Sequence, residues 1–229
     1  MRLFNFICAV LTVGIISNPV LSEQDMTPEQ LEAWFNDDKS IHPYDRKSDG
    51  GVLVFLAKPP TKRTPHSSNI LTVNSDSLRT GWVEVEQCHA GLDPVPAVEV
   101  VYRYKEMRHL QVVKSSGIGK VWVDGQTVQL EEVKKGASLC IRTEARIMVQ
   151  LEGGRYVLFN GPFQRRFLDS YFPMHVTLVL RYPRDELELT EVLPRKTDGF
   201  KVESRDGEIN LDAWFEGKLL IRAEFKYKS

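Results

Sequence analysis

The sequence predicts an all-β protein, an antiparallel β-sandwich or barrel of about a dozen strands with one short N-terminal helix. Apolar and polar residues alternate with a period of two over much of the chain, and turn residues interrupt this alternation at short intervals. That pattern is typical of half-buried antiparallel strands. Helix signals are scarce, because only residues 27–30 combine a capping threonine with proline at the first helical position.

The first 22 residues have the layout of a secretory signal peptide. Arg2 precedes an uncharged run that includes the apolar stretch 6–16, and Pro19 follows that stretch. Val20 and Ser22 supply the small residues that precede a cleavage site, so we expect cleavage after Ser22. The protein is therefore expected to be periplasmic or secreted, with no integral membrane span after cleavage. An uncleaved anchor is the alternative, because about 20 apolar residues are enough to span a bilayer.

The chain is expected to divide into three segments. These are a signal peptide at residues 1–22, an N-terminal helix with its lead-in at residues 23–45, and a single all-β domain at residues 46–229. The helix should begin at Thr27 and end near Asp38. No internal repeat or linker divides the remainder, and a single β domain of this length is common. Two smaller sandwiches are the alternative.

The β domain is expected to open with a strand and then an exposed, irregular loop. The strand covers residues 52–57, and the loop covers residues 58–65, where three prolines fix the backbone and remove hydrogen-bond donors. Further strands are expected at residues 82–88, 97–103, 109–114, 138–142, 175–181 and 186–193.

Four hairpins are predicted at turn residues where the cross-strand pairs match in charge and polarity. Two-residue loops are expected at Asp206-Gly207, at Gly153-Gly154 and at Asp124-Gly125, and a three-residue loop is expected at residues 216–218. The predicted pairs are Arg205 with Glu208, Val202 with Leu211 and Phe200 with Ala213; Glu152 with Arg155, Leu151 with Tyr156 and Val149 with Leu158; Val121 with Val128; and Phe215 with Leu219, Ala213 with Ile221 and Leu211 with Ala223.

The cysteines indicate a disulfide bond. Cys8 leaves with the signal peptide, so the mature chain retains Cys88 and Cys140, an even pair in an oxidising compartment. In both predicted strands the neighbouring apolar residues point to one side and the cysteine points to the other, more polar side. A cross-strand bond requires this arrangement. We therefore predict that Cys88 and Cys140 are bonded.

The charge balance and the motif spacing of the chain exclude several classes of function. The chain has 30 Lys plus Arg against 31 Asp plus Glu, so it is neither a polybasic nucleic-acid binder nor a disordered acidic tail. Residues 116–120 have the sequence Ser-Gly-Ile-Gly-Lys. Lys114 and Val121 stand where a phosphate-binding loop needs Gly and Ser or Thr, so a hairpin turn is the better interpretation. We expect no cofactor.

No catalytic or metal-binding residue is predicted. Cys88 and His89 are consecutive on a strand and point to opposite faces, so they cannot easily share a site. There is no Gly-x-Ser-x-Gly nucleophile motif. Acidic residues are abundant, but their alternation with apolar residues is typical of a solvated strand face, and nothing selects a catalytic pair. The remaining histidines are scattered singly, without metal-ligand spacing, at His42, His66, His109 and His175.

The most unusual segment is residues 160–173, where the alternation breaks. Aromatic and arginine residues are concentrated there, and these residue types dominate the energetics of binding surfaces. Two adjacent guanidinium groups could also hold a carboxylate or phosphate. The alternative is a structural corner whose aromatic rings, Phe167 among them, close the end of the sandwich while an arginine pairs with Asp169. The candidate contact surface consists of Phe163, Arg165, Arg166, Asp169, Tyr171 and Phe172.

These observations favour an exported, non-catalytic binding module of the cell envelope or periplasm. Its partner would be a protein or another envelope component, recognised by loops on a rigid sandwich. A carrier that encloses an apolar small molecule in a barrel or cleft is the alternative. A hydrolase acting on envelope material is a third hypothesis, based on the acidic residues alone.

Overall fold

The computed structural model describes residues 51–167 and 170–228, and for these residues the all-β prediction is confirmed. The predicted signal peptide and the predicted N-terminal helix lie outside the described residues. The strands are β1 (Val54–Phe55), β2 (His66–Thr72), β3 (Trp82–Leu92), β4 (Val95–Val101), β5 (Met107–Asp124), β6 (Thr127–Arg146), β7 (Met148–Leu151), β8 (Arg155–Phe163), β9 (Arg166–Phe167), β10 (Ser170–Tyr171), β11 (Met174–Arg181), β12 (Leu187–Leu193), β13 (Phe200–Arg205), β14 (Glu208–Glu216) and β15 (Leu219–Tyr227).

The strands form two main sheets and a small hairpin. In the larger sheet β14 pairs with β1, β11 and β13, and the sheet continues from β11 through β2 and β3 to β6. Strands β4 and β5 also pair with β6. The smaller sheet has the order β12–β15–β8–β7, and β9 pairs with β10. The sequence predicted antiparallel pairing throughout, but β2 and β11 run parallel.

The two sheets share one hydrophobic core, as a sandwich requires. Leu71 and Leu178 of the larger sheet and Leu158 and Ile221 of the smaller sheet belong to the same cluster of buried side chains. Phe159, on the opposite face of β8, belongs to a second and smaller cluster. The alternation seen in the sequence therefore corresponds to inward and outward faces of the strands.

One helix was missed by the sequence analysis. Helix α1 (Ser75–Thr80) begins after Asn74, whose side chain accepts a hydrogen bond from the Ser77 backbone, while the Ser77 side chain accepts from the Asn74 backbone. Gly81 ends the helix with a left-handed backbone conformation. These are standard start and stop signals, but the helix is too short for an apolar periodicity to mark it.

The hairpin at Asp206-Gly207 forms as predicted. All three expected cross-strand pairs are observed, from Arg205 opposite Glu208 to Phe200 opposite Ala213. A two-residue loop with glycine at its second position suits the tight turn that such a hairpin needs.

The registers predicted for two other hairpins are wrong. Around Gly153 a 3-10 turn over Glu152–Gly154 takes three residues instead of two, so Leu151 faces Arg155. Near Gly125 the loop begins one residue later than expected, and Asp124 faces Thr127. The remaining pairs shift accordingly: Gln150 faces Tyr156, Val149 faces Val157, Met148 faces Leu158, Val123 faces Val128 and Val121 faces Leu130.

The fourth predicted hairpin is not a hairpin. Strand β14 pairs within the larger sheet and β15 pairs within the smaller one, so the turn after Glu216 joins the two sheets as an arch. The side chains that were expected to pair are nevertheless buried in the shared core. They are Leu211, Ala213 and Phe215 on β14 and Leu219, Ile221 and Ala223 on β15.

The arch depends on a glycine. Gly217 has a φ of +89°, and a Cβ there would lie 2.2 Å from the Val52 carbonyl oxygen. We expect Gly217→Ala to lower the free energy of unfolding by about 2 kcal/mol, because it combines left-handed strain with a backbone clash. Urea denaturation measures the change. The control is Gly125→Ala, where φ is +57° and nothing lies within 4 Å, so about 1 kcal/mol is expected from strain alone. Equal losses would contradict the role of the clash.

Strand β6 pairs with β5 along one edge and with β3 and then β4 along the other. We call this group of strands the ribbon, and it is interrupted at one level. Between β3 and β4, residues 93–94 are unpaired, and β6 bulges at residues 134–136 on the opposite strand. On β5, Gly117 lies at the same level with a register shift. We call these three places the ribbon break. The hairpin turn predicted for residues 116–120 is therefore wrong, because this stretch is a bulged part of β5.

The far half of the ribbon folds against the smaller sheet. Val128 and Leu130 of β6 are fully buried in the shared core. Burial raises the pKa of Tyr104, which keeps its hydroxyl protonated, and this hydroxyl donates a hydrogen bond of 2.9 Å to Asn160 Oδ1 on β8. Because bulges bend strands, the ribbon break allows strands of the larger sheet to pack against the smaller sheet as well.

Candidate binding surface

The predicted disulfide is present. Cys88 on β3 and Cys140 on β6 lie directly opposite each other and are bonded. Both point to the face of the larger sheet that is turned away from the core, while Gln87 and Leu139 beside them are buried. Both cysteines therefore leave the same outward face of the sheet, as predicted.

The aromatic and arginine segment forms a corner at one end of the larger sheet. Strands β9 and β10 make a short hairpin in which Tyr171 lies opposite Arg166. The Phe172 backbone then donates a hydrogen bond of 2.9 Å to the Arg165 carbonyl oxygen. Residue 169 lies outside the described residues. The hairpin therefore brings Arg165, Arg166, Tyr171 and Phe172 into one small region.

Arg165 is held by three contacts. Its Nη2 forms an ion pair with Asp93 Oδ2 at the ribbon break, and its Nη1 donates to the Pro173 carbonyl oxygen at 3.3 Å. The guanidinium also lies 5.6 Å from the centroid of the Phe172 ring. Arg165 thus pairs with a carboxylate 72 residues away, while the alternative in which an arginine pairs with Asp169 falls on a residue outside the described ones.

The other members of the predicted surface divide between the core and the exterior. Phe163 is 6% exposed and belongs to the main core, so it supports the corner from beneath and does not form part of its surface. The Tyr171 ring lies against Gly51, where a Cβ would come within 2.5 Å of the ring. Phe172 is 38% exposed. Among the described side chains of the corner, Phe172 is thus the aromatic residue that is presented to solvent.

A stack of aromatic rings lies next to the corner and was not found from the sequence. Trp214, His175 and His66 occupy adjacent strands β14, β11 and β2 on the face away from the core. The His175 ring lies 4.0 Å from the Trp214 ring and 4.2 Å from the His66 ring, measured between centroids. His175 follows Met174 directly after the corner. The two histidines are 109 residues apart in the chain, so their spacing gave no signal.

The polar groups of this stack do not form a catalytic relay. His66 Nε2 is hydrogen-bonded to Thr177 Oγ1 at 2.8 Å, and His175 Nε2 lies 3.0 Å from Asp212 Oδ1. A nucleophile-activating arrangement needs one imidazole between the hydroxyl and the carboxylate, whereas here the two groups bind different rings. In the described part of the chain, no group of three or more His, Cys, Asp or Glu side chains is arranged to hold a metal ion.

Burial and charge keep His66 neutral near pH 7. Its pKa is lowered by burial first and by the neighbouring His175 second, although Asp212 acts in the opposite direction. A second positive charge 4.2 Å from His175 would be unfavourable for the same reason. The stack therefore contains a polar ring, that of His66, which is held in its neutral form.

Beneath the stack, on the core side of β2 and β3, lies a chain of buried polar side chains. His89 Nε2 donates to Gln87 Oε1 at 3.2 Å, and Gln87 donates in turn to Asn69 Oδ1. Asn69 Nδ2 donates to the Thr177 carbonyl oxygen at 3.0 Å. Burial first and the nearby His66 second lower the pKa of His89 to about 4. This network links the buried polar side chains of β2 and β3 to β11, the strand that carries His175.

A separate groove lies between β12, β13 and the C-terminal residues. Most of its lining side chains are charged or polar, which does not suit an apolar ligand. The lining includes Tyr182, Arg184, Asp185, Glu188, Asp206 and Lys228.

Comparisons with known proteins give no family. No family model matches the sequence, and no curated protein matches it. Among solved structures, a mutant M1 zinc metallopeptidase from Deinococcus radiodurans bound to a Tyr-Ser-Ala substrate has a TM-score of 0.38 and 14% identity, covering 72% of this chain and 43% of that chain. A two-domain M1 zinc metallopeptidase mutant bound to L-tryptophan has a TM-score of 0.36 and 14% identity, covering 79% and 46%. This chain spans less than half the length of either.

Proposed function

We propose that this protein is an exported, disulfide-bonded binding module whose contact surface is formed by the corner and the adjoining ring stack. Its partner is a protein of the cell envelope or periplasm, and it acts by recognition without catalysis. Export is supported by the signal-peptide pattern of the first 22 residues and by the Cys88–Cys140 bond, since disulfides persist in oxidising compartments. No helix in the described part of the chain is long and apolar enough to cross a membrane.

The observation that carries the proposal is that the surface combines arginine with aromatic residues and holds Arg165 in a fixed position. Arginine and aromatic residues dominate binding energy at protein interfaces, and the corner places Arg165 beside the exposed ring of Phe172. Three contacts fix the Arg165 side chain before any partner arrives. A side chain that is already ordered loses less conformational entropy on binding. The corner is therefore suited to recognition as a rigid element.

The test is the substitution Phe172→Ala. Phe172 is 38% exposed, so the variant should fold, and we expect it to bind the partner about tenfold more weakly, the loss typical of an interface anchor. The partner is first captured from an envelope extract of the native host and identified, and its affinity is then measured with purified proteins. The matched control is Tyr227→Ala, which removes a ring that is 45% exposed on the smaller sheet. Equal affinities of both variants and the parent protein would contradict the proposal.

A further inference from the structure

Next to the corner, the side chain of Arg63 lies in a seat made of two glycines. A Cβ at Gly136 would be 3.1 Å from both Nη atoms of Arg63, and a Cβ at Gly91 would be 3.3 Å from its Nε. Both glycines have positive φ values, +73° at Gly91 and +80° at Gly136. The guanidinium thus lies against Gly91 and Gly136 beside the ribbon break, where larger residues would obstruct it.

The positive charge at this seat is not neutralised by the described residues. Lys134 and Lys135 directly precede Gly136, and both are exposed, as is Arg63. None of the described carboxylates comes within 4 Å of these three cations. Asp93, the acidic residue at the same break, is already paired with Arg165. The surface therefore offers the positioned guanidinium of Arg63 and two lysines close to it in the fold, none of which is paired with a described carboxylate.

We infer that Arg63, Lys134 and Lys135 form an anion-binding surface that takes an acidic segment of the partner protein. A guanidinium binds a carboxylate through two parallel hydrogen bonds. The two lysines add positive charge on flexible side chains that do not require a particular orientation of the ligand. The inference rests on the proposed function, because it extends the same contact surface. Gly91 in the seat of Arg63 and Asp93 in the ion pair of Arg165 are two residues apart.

The exposed aromatic ring beside this surface favours a protein over other anionic polymers. Phe172 stands next to Arg165, and a partner that uses both features must combine apolar and acidic side chains. The near balance of 30 basic and 31 acidic residues in the chain gives no general attraction for polyanions. Binding of acidic groups therefore has to come from a local arrangement such as this one.

The test uses a fluorescein-labelled peptide of eight glutamates and the purified mature protein at low ionic strength. Fluorescence anisotropy should show binding of this peptide but not of a labelled peptide of eight lysines. We expect Arg63→Gln to weaken binding about fivefold and Lys135→Gln about twofold, as loss of exposed charge pairs predicts. Arg63→Lys should recover only part of the loss. The matched control is Lys226→Gln, an equal charge change at an exposed position of β15, which should leave binding unchanged.

Two outcomes would overturn the inference. If Lys226→Gln weakened binding as much as Arg63→Gln does, the attraction would reflect net charge and not this surface. If polyphosphate of similar charge bound much more tightly than the glutamate peptide and lost that advantage in Arg63→Gln, the site would be specific for phosphate. Neither outcome would affect the Phe172→Ala comparison, so the two proposals fail separately.

Discussion

The double substitution of Cys88 and Cys140 by serine is expected to lower the free energy of unfolding by about 4 kcal/mol. The bond closes a loop with a sequence separation of 52 residues, and the loop-entropy relation gives that magnitude for a loop of this length. Both cysteines lie on the outer face of the larger sheet and are only partly buried, so serine hydroxyls should be tolerated there. The effect should therefore come mainly from the unfolded chain, which loses its cross-link.

Guanidinium denaturation with and without reductant measures this contribution. The parent protein in reductant should lose about as much stability as the double variant has lost, and the double variant should not respond to reductant. If the reduced parent protein and the double variant both kept the full stability of the oxidised protein, the bond would make no net contribution. A loss in the variant without a matching loss on reduction would instead point to local packing around the serines.

On strands β14 and β15, alternation in the sequence predicted which side chains are buried, but it could not predict which strands are neighbours. Phe215 and Leu219 show the difference, because both are buried in the core although their strands lie in different sheets. A hairpin and an arch between two sheets give the same inward and outward pattern along the chain. Only the hydrogen-bond partners differ, and these depend on contacts distant in sequence.

Turn residues predicted the positions of reversals better than their lengths. Gly153 and Gly154 have positive φ values, as their place in a turn requires, yet the reversal also includes Glu152. Glycine tolerates several turn types, so a glycine pair does not specify how many residues the loop contains. Asp206-Gly207 was correct because the flanking charges and apolar residues supported a single register.

The sequence indicated the corner but gave no sign of the ring stack and Arg63, which the proposed surface also includes. Strand β2 was not predicted because Ser67 and Asn69 face the core, which removes the apolar half of the alternation. His66 on that strand meets His175 only through the parallel pairing of β2 with β11. Arg63 likewise reaches the ribbon break only in the folded chain. Such features depend on sheet order, which a single sequence does not encode locally.

The buried network around His89 should make the protein sensitive to acid. Burial lowers the pKa of His89 from 6.5 to about 4, so the folded state keeps the ring neutral while the unfolded chain takes up a proton below pH 6.5. Stability is therefore fully present above pH 6.5 and is lost progressively as the pH falls toward 4. The difference corresponds to about 3 kcal/mol. His66 should add to the loss, because its pKa is also lowered.

The variant His89→Gln separates this effect from general acid denaturation. Glutamine cannot titrate but can still donate to Gln87 Oε1, the acceptor of the present hydrogen bond. Urea denaturation of parent and variant at pH 7 and pH 4 gives the loss of stability for each, and we expect the variant to lose about 3 kcal/mol less. His109→Gln, at an exposed position outside the network, is the matched control and should behave as the parent protein does. An unchanged pH dependence in His89→Gln would mean that His89 is protonated in the folded state without penalty. The network would then have to accommodate a charged His89 ring. The second proton of that ring, on Nδ1, takes no part in the hydrogen bonds described above.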